Sequence, residues 1–341
     1  MKKLRIGIFP HSLNLSHPAD RRRIVAWAQN RGHNLVIGES RKVDLMFISE
    51  GSDFLKVSKI KGPPKIFDLI DGYLAPQHLV TDTLRGYTKS IIRQHKTYPR
   101  SYTSIVRETC QNVDLIVCST PEQLETILPY NSNVRVILDN HSEFPFRNFS
   151  LTNRVKSHLL FWEGTSYTLS GLEKLWNSIS ESNLGLNIVT DLFHPRLLGR
   201  YLVQDVENRL AKNLKDKRFE LFEWSIHNVI IQSSNSKVAV VPVNTRNKLQ
   251  IMKPENRLLI MFRLGLPCLT SAIPSYERVE RTLQTKITCT EVEDWKTSIS
   301  QLLTDEDYAA YQVSKGQNYI REFHTEEILF NKWDYVVGSL V

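Results

Sequence analysis

The sequence has few cysteines, glycines and prolines, and it has no long apolar run. Its 341 residues include 4 Cys, 14 Gly and 14 Pro, which argues against a disulfide-stapled domain, a long flexible linker or a low-complexity tail. Cys110, Cys118, Cys268 and Cys289 lack metal-ligand spacing, so we expect reduced core residues of a cytoplasmic protein. No apolar run approaches the roughly 20 residues of a membrane span. Leu4–Phe9 predicts a first buried strand rather than a secretory signal.

Positive charge exceeds negative charge along the chain. Lys and Arg number 44 and Asp and Glu 36, which gives a formal net charge of +8. Such an excess suits nucleic acid, phosphorylated substrates or an anionic membrane surface. The basic residues lie in short, dispersed groups, and no recognition-helix, zinc-finger or RNP pattern is present. The pattern therefore favours an enzyme that binds pyrophosphate, with lipid headgroups as a second candidate partner, over a nucleic-acid-binding protein.

Short apolar strands alternate with helical segments in two successive series. The predicted strands are Leu4–Phe9, Asn34–Ile37, Leu45–Ile48, Lys65–Asp68, Leu115–Cys118, Val134–Ile137, His158–Trp162, Leu186–Val189, Glu220–Glu223, Val238–Pro242, Pro267–Thr270 and Ile287–Thr290. This alternation predicts an α/β protein with parallel sheets, in two Rossmann-like doubly wound lobes. We place the lobes at 1–145 and 156–315, a polar hinge at 139–154, and a helical segment at 316–341 that packs back toward the first lobe. Ligands of such folds bind in the cleft at the carboxyl ends of the strands.

Five segments carry a resemblance to a known family, and they occur in the family's order. They are Asp114–Thr120 (DLIVCST), Val134–Asn140 (VRVILDN), Leu159–Thr165 (LLFWEGT), Ser236–Val243 (SKVAVVPV) and Lys253–Pro267 (KPENRLLIMFRLGLP). As an ordered set covering most of the chain they resemble GT-B glycosyltransferases, closest to the bacterial polysaccharide-type, retaining enzymes of group 1 and family 4. The resemblance implies two lobes facing a cleft and transfer of a sugar from a nucleotide-sugar donor to a surface polysaccharide or lipid-linked glycan. It also implies that no metal or other cofactor is needed.

The segment Lys253–Pro267 is the predicted donor site. A helix N-terminus favours the diphosphate of a nucleotide sugar through its free N–H groups and its dipole. We predict that Lys253 and Arg257, four residues apart, add positive charge from one helical face and stabilise the leaving diphosphate. Asn256 adds a hydrogen-bonding group. The alternative is a solvated basic first turn with no ligand.

One position of the donor segment departs from the family pattern. Many retaining GT-B enzymes carry two glutamates eight positions apart, which flank the donor sugar and the ribose. Ile260 stands where the second glutamate would be, and Asn247 and Lys248 occupy the region of the first. Glu255 is the candidate substitute. The departure leaves the donor nucleotide open, between a nucleoside diphosphate sugar and a CMP-linked sugar acid.

Two further segments are predicted to bind the donor. Glu163, Gly164 and Thr165 end a strand and precede a helix, where a glycine lets the backbone approach a phosphate. Glu223 and Trp224 lie at the tip of a later strand, near which the family places its nucleobase contacts. A simple tight turn and a core tryptophan are the alternatives.

The first lobe contains the predicted acceptor side. Asp68 and Asp71, in KIFDLIDGY, resemble aspartates near the acceptor in GT-B polysaccharide enzymes, where one can accept the proton of the acceptor hydroxyl. Capping of the following turn is the alternative for both. His11, Asn14 and His17, in the first βα loop, are acceptor-side candidates, or simply solvated loop residues.

The stretch 85–107 is basic, with interleaved Tyr87, Tyr98 and Tyr102. It can bind an anionic acceptor or lie on the inner face of the membrane, although an ordinary solvated helix face is the interpretation that the sequence favours.

Two alternatives to a transferase remain. The missing glutamate pair allows a non-catalytic nucleotide-sugar or glycan-binding module, and two α/β lobes allow an NAD enzyme or epimerase, against which the absence of GxGxxG argues.

Overall fold

The computed structural model describes residues 2–75, 79–91, 94–95, 100–149, 160–179, 184–195, 203–214 and 218–341. The chain forms two compact units. The first comprises Met1–Asn140, Met252–Pro254 and His324–Val341, and the second comprises His141–Ile251 and Glu255–Phe323. Each unit contains a six-stranded parallel sheet with helices, so the predicted α/β class with two Rossmann-like units is confirmed.

The sheet of the first unit has the strand order β2-β1-β3-β4-β5-β6. Its elements are β1 Arg5–Phe9, α1 Pro18–Arg21, α2 Ile24–Asn30, β2 Asn34–Ile37, β3 Leu45–Ser49, α3 Phe54–Ser58, β4 Lys65–Leu69, α4 Leu79–Ile91, α5 Tyr102–Gln111, β5 Leu115–Cys118, α6 Pro121–Ile127 and β6 Val134–Val136. The strand order changes direction at β1, so the loops after β1 and β3 border the crevice where doubly wound sheets bind ligands.

Local sequence explains most of these elements. Strands β3 and β5 are buried along their whole length, as expected for parallel strands covered on both faces. Helix α6 begins with a capping box, in which Thr120 accepts from the Gln123 N–H and the Gln123 side chain binds back. The apolar periodicity of 19–31 predicts one helix, but the structure has two, because Arg23 leaves helical geometry (φ −118°, ψ −113°) and its side chain is fully buried.

The last helix of the chain, α15 (Glu326–Gly338), belongs to the first unit. Asp334 accepts hydrogen bonds from Trp27 Nε1 at 2.8 Å and from Arg31 Nε at 3.0 Å. Arg31 also pairs with Glu327 at 2.9 Å. Trp333 is 1% exposed and packs against the Trp27 ring at 6.4 Å. The final residues therefore complete the hydrophobic core of the first unit.

The sheet of the second unit has the order β11-β8-β7-β12-β13-β14, the 3-2-1-4-5-6 arrangement of dinucleotide-binding Rossmann sheets. Its elements are β7 Leu160–Glu163, α7 Leu169–Ile179 (preceded by a 3₁₀ turn at Ser166–Thr168), β8 Leu186–Thr190, β9 Phe193–Pro195, β10 Val203–Asp205, α8 Val206–Asn213, β11 Phe219–Glu223, α9 Ile226–Ser234, β12 Val238–Val241, α10 Lys248–Ile251, α11 Asn256–Arg263, β13 Cys268–Ser271, α12 Pro274–Leu283, β14 Thr288–Cys289, α13 Val292–Thr304 and α14 Glu306–Phe323. The order changes direction between β7 and β12, so the switch point of this sheet lies after Glu163.

All twelve predicted strands are present, with ends within two residues of the predicted ones. The antiparallel pair β9–β10 was not predicted. Residues 158–159, the last part of the predicted hinge (150–154) and Tyr98 lie outside the described residues. Among the residues that the structure describes, no helix is long and apolar enough to cross a membrane.

Candidate functional site

The loop after β1 is held by Asp20, which is fully buried. Its carboxylate accepts the backbone N–H groups of His11 and Ser12, each at 3.0 Å, and the Ser49 hydroxyl at 3.2 Å. Three donors from two strand ends therefore fix the loop against the carboxyl end of β3.

His11 lines a cavity at this switch point, together with residues that follow β1, β2 and β3. The cavity has a volume of about 310 Å³ and is lined by Phe9, Pro10, His11, Leu13, Ile37, Gly38, Gly51 and Ser52. His11 Nε2 is buried and has no hydrogen-bond partner among the described residues. The His11 ring stacks on His17 with centroids 4.6 Å apart. The cavity therefore has mostly apolar walls, and the His11 ring in its lining carries a buried nitrogen with no partner among the described residues.

The two predicted loop histidines and Asn14 have different surroundings. Burial, reinforced by the neighbouring His17, lowers the pKa of His11 to about 4. His17 caps α1 by accepting the Ala19 N–H at its Nδ1, 3.2 Å away, and burial lowers its pKa as well. Asn14 is exposed and accepts from Ser16 within its own turn. The structure thus brings His11 and His17 together and leaves Asn14 apart from the cavity lining.

Asp71 lies after β4 in a network with a cation, a phenol and a second carboxyl group. Its carboxylate pairs with the Lys253 ammonium and accepts the Tyr73 hydroxyl at 3.1 Å. Its backbone N–H donates to Glu50 Oε1 at 2.6 Å. Glu50 is 6% exposed. Two carboxyl groups from neighbouring strands therefore share one small region at the carboxyl edge of the sheet.

The environment separates the two carboxyl groups in acidity. Burial, with repulsion from the Asp71 charge, raises the pKa of Glu50 well above its usual value. Burial also acts to raise the pKa of Asp71, but the Lys253 ammonium and the hydrogen bonds from Lys253 and Tyr73 outweigh it and leave that pKa lowered. The surroundings therefore shift the pKa values of these two carboxyl groups in opposite directions, the type of division that acid–base sites use.

Asp68 makes a different set of contacts. Arg23 donates from Nε and Nη2 to its two oxygens, each at 2.7 Å, and from Nη1 to Asp139 at 3.0 Å and to the Ile137 carbonyl at 2.8 Å. Arg23 and Asp68 are fully buried. Both oxygens of Asp68 are therefore engaged by Arg23, which favours Asp71 over Asp68 as the candidate base.

In the second unit, Glu163 joins two other candidate residues. The Arg257 Nη1 group donates to the Glu163 carbonyl at 3.1 Å, and Trp224 Nε1 donates to Glu163 Oε2 at 3.1 Å. Arg257 also lies over the Trp162 ring, 5.9 Å from its centroid. Among the described residues, Arg257 donates a hydrogen bond from one N–H group, and its other N–H groups have no protein acceptor. The site combines a cation from α11, the 7%-exposed Glu163 at the end of β7 and an indole that follows β11, at the carboxyl edge of the sheet.

Gly164 allows this approach of Arg257. A Cβ at this position would lie 2.8 Å from Arg257 Nη1 and 3.0 Å from the Thr168 hydroxyl. The amide groups of the turn are largely used within the protein, since Gly164 N–H donates to Val189 and Ser166 N–H donates to the Asp191 carboxylate. Thr165 is exposed. Arg257, rather than the turn amides, is therefore the principal candidate group for a phosphate.

The start of α11 differs from the prediction. The helix begins at Asn256, so Lys253 precedes it, and the expectation that Lys253 and Arg257 share a helical face was wrong. The physical reason is Pro254, because the residue before a proline is disfavoured in the α region. Lys253 instead belongs to the first unit with Asp71, while Arg257 belongs to the second.

The other donor-side candidates are also placed. Glu255 is 2% exposed and pairs with Arg278 at 3.4 Å, which occupies its carboxylate. Asn256 Oδ1 lies 3.2 Å from His141 Nε2. Glu223 is exposed, and its carbonyl accepts from Asn228 at 2.8 Å. None of these three contacts Arg257 or Glu163 through a hydrogen bond among the described residues.

Sequence reasoning missed Asp20, Glu50 and Arg278. Asp20 has a local signal, since it follows a proline at a helix start, but its burial does not show in the sequence. Glu50 has the clearer signal, because it directly follows the buried strand β3 and strand ends of parallel sheets meet at one edge. Among the described residues, no group of three His, Cys, Asp or Glu side chains is placed to hold a metal ion.

The fold of this chain is similar to that of several solved structures of one architecture. HepE from Anabaena, solved with UDP and glucose, aligns over 99% of this chain and 100% of its own, with a TM-score of 0.68 and 9% identity. The chain has the GT-B fold. WaaG, a glycosyltransferase involved in lipopolysaccharide biosynthesis, aligns over 98% of this chain and 100% of its own, with a TM-score of 0.60 and 13% identity.

A third GT-B structure, TarM, covers 86% of this chain with a TM-score of 0.61 and 12% identity. This chain spans about half of TarM, 54% of its length. No protein-family model and no curated protein matches the sequence. The predicted resemblance to GT-B enzymes is confirmed at the level of the fold.

Proposed function

We propose that this chain transfers a sugar from a nucleotide-sugar donor to a hydroxyl group of a glycan, either a surface polysaccharide or a lipid-linked glycan. The observation that carries the proposal is Arg257 beside Glu163 and Trp224, at the switch point of a Rossmann sheet. HepE, with the same fold, was solved with UDP and glucose. We therefore take UDP-sugars as the first donors to test.

Donor recognition is assigned to the second unit. Arg257 binds the diphosphate, because a guanidinium with unengaged N–H groups forms charge-assisted hydrogen bonds with phosphate oxygens. Glu163 accepts hydroxyl groups of the ribose, in place of the glutamate that Ile260 replaces. Trp224, held by Glu163, contacts the base. As the bond between the anomeric carbon and the diphosphate breaks, Arg257 stabilises the negative charge on the leaving group.

Acceptor activation is assigned to the first unit. Asp71, ionised at neutral pH, accepts the proton of the attacking hydroxyl while its oxygen forms the new bond to the anomeric carbon. Lys253 and Tyr73 lower the pKa of Asp71, and Glu50 holds its backbone N–H. His11, neutral and lining the cavity, hydrogen-bonds an acceptor hydroxyl. No metal or other cofactor is included in the proposal.

The experiment measures transfer and donor hydrolysis with a panel of UDP-, GDP-, ADP- and CMP-linked sugars. We expect Arg257→Ala to weaken nucleotide binding and abolish turnover, because it removes the diphosphate contact. Arg246→Ala is the matched control, since Arg246 is an exposed arginine of the same unit. Equal losses in both variants would point to a general charge effect and contradict the assignment.

The second candidate is a binding module without catalysis, which the missing glutamate pair favours. It predicts tight nucleotide-sugar binding, weakened by Arg257→Ala, with no turnover for any donor and acceptor. The variant Asp71→Asn distinguishes the two candidate functions. It should lower the turnover of an enzyme, and it should leave the nucleotide-sugar affinity of a binding module unchanged.

A further inference from the structure

Lys89 lies on the side of α4 that packs against the rest of the first unit. Asp82 and Gly86 mark that side, because Asp82 is buried and accepts the Thr103 N–H at 2.9 Å, and a Cβ at Gly86 would lie 1.8 Å from the Arg100 carbonyl oxygen. Lys89 follows Gly86 by three residues and is half-buried. Among the described residues, its ammonium forms no ion pair and no hydrogen bond.

The end of α4 is bonded to the strand end that borders the cavity. The Lys89 carbonyl accepts the Gln94 N–H at 3.0 Å, and Gln94 Nε2 donates to the Glu50 carbonyl at 3.0 Å. The next residue, Gly51, lines the cavity, and a Cβ there would lie 2.6 Å from His11. The Lys89 charge accordingly acts on His11 and on the candidate base. Lys89 therefore lies beside both the cavity and that base.

The two carboxyl groups that attract the Lys89 charge have closer partners. Asp71 pairs with Lys253, and Glu50 Oε1 accepts the Asp71 N–H. Burial, reinforced by the Arg85 guanidinium, lowers the pKa of Lys89 more than these two carboxyl groups raise it. A half-buried cation without an anionic partner in the protein favours an anion supplied by a ligand.

Arg85 adds a second positive charge from the preceding helical turn. It lies four residues before Lys89, a spacing that places both side chains on one face of α4. Its guanidinium lies over the Tyr73 ring, 5.2 Å from the centroid, and Tyr73 donates its hydroxyl to Asp71 at 3.1 Å. The two cations give this edge of the sheet a positive potential, which favours an acceptor with negative charge.

We propose that Lys89 binds an anionic group of the acceptor, a phosphate or a carboxylate, and so holds a hydroxyl of the same molecule beside Asp71. The inference rests on the proposed function, because it names the class of acceptor for that site. Binding of the anion itself requires no donor and no turnover, so it can be measured separately.

The test measures the affinity of the full chain for glucose 6-phosphate, glucuronate and glucose, which differ in charge. NMR titration gives the three dissociation constants. We expect one or both anionic sugars to bind about tenfold or more tightly than glucose, and high salt to reduce the difference. The sugar that binds more tightly identifies phosphate or carboxylate as the preferred group.

The variant Lys89→Gln keeps a good helix-forming residue and should raise the Kd of the preferred anionic sugar about tenfold or more, with the affinity for glucose unchanged. Lys89→Arg retains the charge and should restore most of the affinity. Lys61→Gln is the matched control, since Lys61 is an exposed lysine of the same unit, and it should bind like the wild type. Arg257→Ala should lose nucleotide binding and transfer but keep its affinity for the anionic sugar, which distinguishes this inference from the proposed function.

Four results would overturn the proposal. The first is equal affinity of the wild type for charged and neutral sugars. The second is an equal loss in Lys61→Gln, which would indicate a general charge effect. The third is a loss of glucose affinity together with that of the anionic sugar in Lys89→Gln, which would assign Lys89 to the support of neighbouring residues. The fourth is a loss in Arg257→Ala but not in Lys89→Gln, which would assign the anion to the second unit.

Discussion

Replacement of Gly164 by alanine tests the assignment of Arg257 with the smallest possible change. The new methyl group would lie 2.8 Å from Arg257 Nη1 and 3.0 Å from the Thr168 hydroxyl and the Trp162 ring. The backbone of Gly164 is outside the left-handed region, so alanine itself fits its conformation. The group that must move is the tip of a flexible side chain, and it is the group proposed to bind phosphate.

The expected magnitudes differ for binding and for stability. A hydrogen bond to a charged group contributes about 1.5–3 kcal/mol, so displacing Arg257 should weaken UDP binding by about ten- to hundredfold. The free energy of unfolding should change less, because the crowding is offset by the lower backbone entropy of alanine in the unfolded chain, a gain of about 0.4–1 kcal/mol.

Gly171→Ala provides the matched contrast. There the methyl group would lie 2.7 Å from the Pro242 carbonyl oxygen, which is backbone and cannot swing away. We expect a loss of about 1–3 kcal/mol in stability and unchanged UDP affinity in the folded protein. Calorimetric titration with UDP gives the affinities and urea unfolding the stabilities. Wild-type UDP affinity in folded Gly164→Ala would refute the role of Arg257.

The remaining predictions concern acidity and packing. Asp68→Asn should lower the free energy of unfolding by about 3–5 kcal/mol, because it leaves the buried Arg23 without its charged partner. Asp71→Asn should fold normally and lose sugar transfer. Urea unfolding measures the stability of both variants, and a turnover assay measures their activity. The pKa of His11 is about 4 in the folded chain against 6.5 for the free side chain. Between these two pH values the unfolded state therefore binds more protons than the folded state, and the free energy of unfolding should fall as the pH drops from about 6.5 to about 4. The fall should be smaller in His11→Gln. Equal pH dependence of the free energy of unfolding in the wild type and in His11→Gln would contradict this prediction. Gly316→Ala should lower the free energy of unfolding by about 1–3 kcal/mol, since its methyl group would lie 2.2 Å from the buried Phe262 ring. A methyl group at Gly338 would meet nothing within 4 Å. Comparing the thermal unfolding of the two variants therefore distinguishes the effect of crowding from the effect of alanine on the backbone.

The strands were predictable because parallel strands covered on both faces read as short, continuous apolar runs. Leu115–Cys118 and Val238–Val241 show this pattern, and both are buried throughout. The short strand Phe193–Pro195 has only three residues and ends in proline, so no periodicity marks it. The sequence also contained an unused signal, because Lys253 precedes Pro254 and is thereby disfavoured in a helix.

The site was predictable in its positions more than in its pairings. Glu163 and Asp71 follow strands, which is where ligand-binding residues of doubly wound sheets occur. Which side chains meet depends on contacts between distant parts of the chain. Asp71 pairs with Lys253, 182 positions away, and Glu163 with Trp224, 61 positions away. No local pattern encodes such pairs, so the sequence does not distinguish Asp68, which Arg23 binds, from Asp71.

The place of α15 in the first unit has a consequence for synthesis of the protein. The first unit contains residues from both ends of the chain, and about 180 residues of other structure lie between Asn140 and His324. At about 5–20 residues per second, a ribosome needs about ten to forty seconds to make them. Until then the surfaces of Trp27 and Phe47 that Trp333 covers remain exposed. The nascent first unit is therefore a natural substrate for chaperones, and a truncation before α15 should aggregate although it removes none of the site residues.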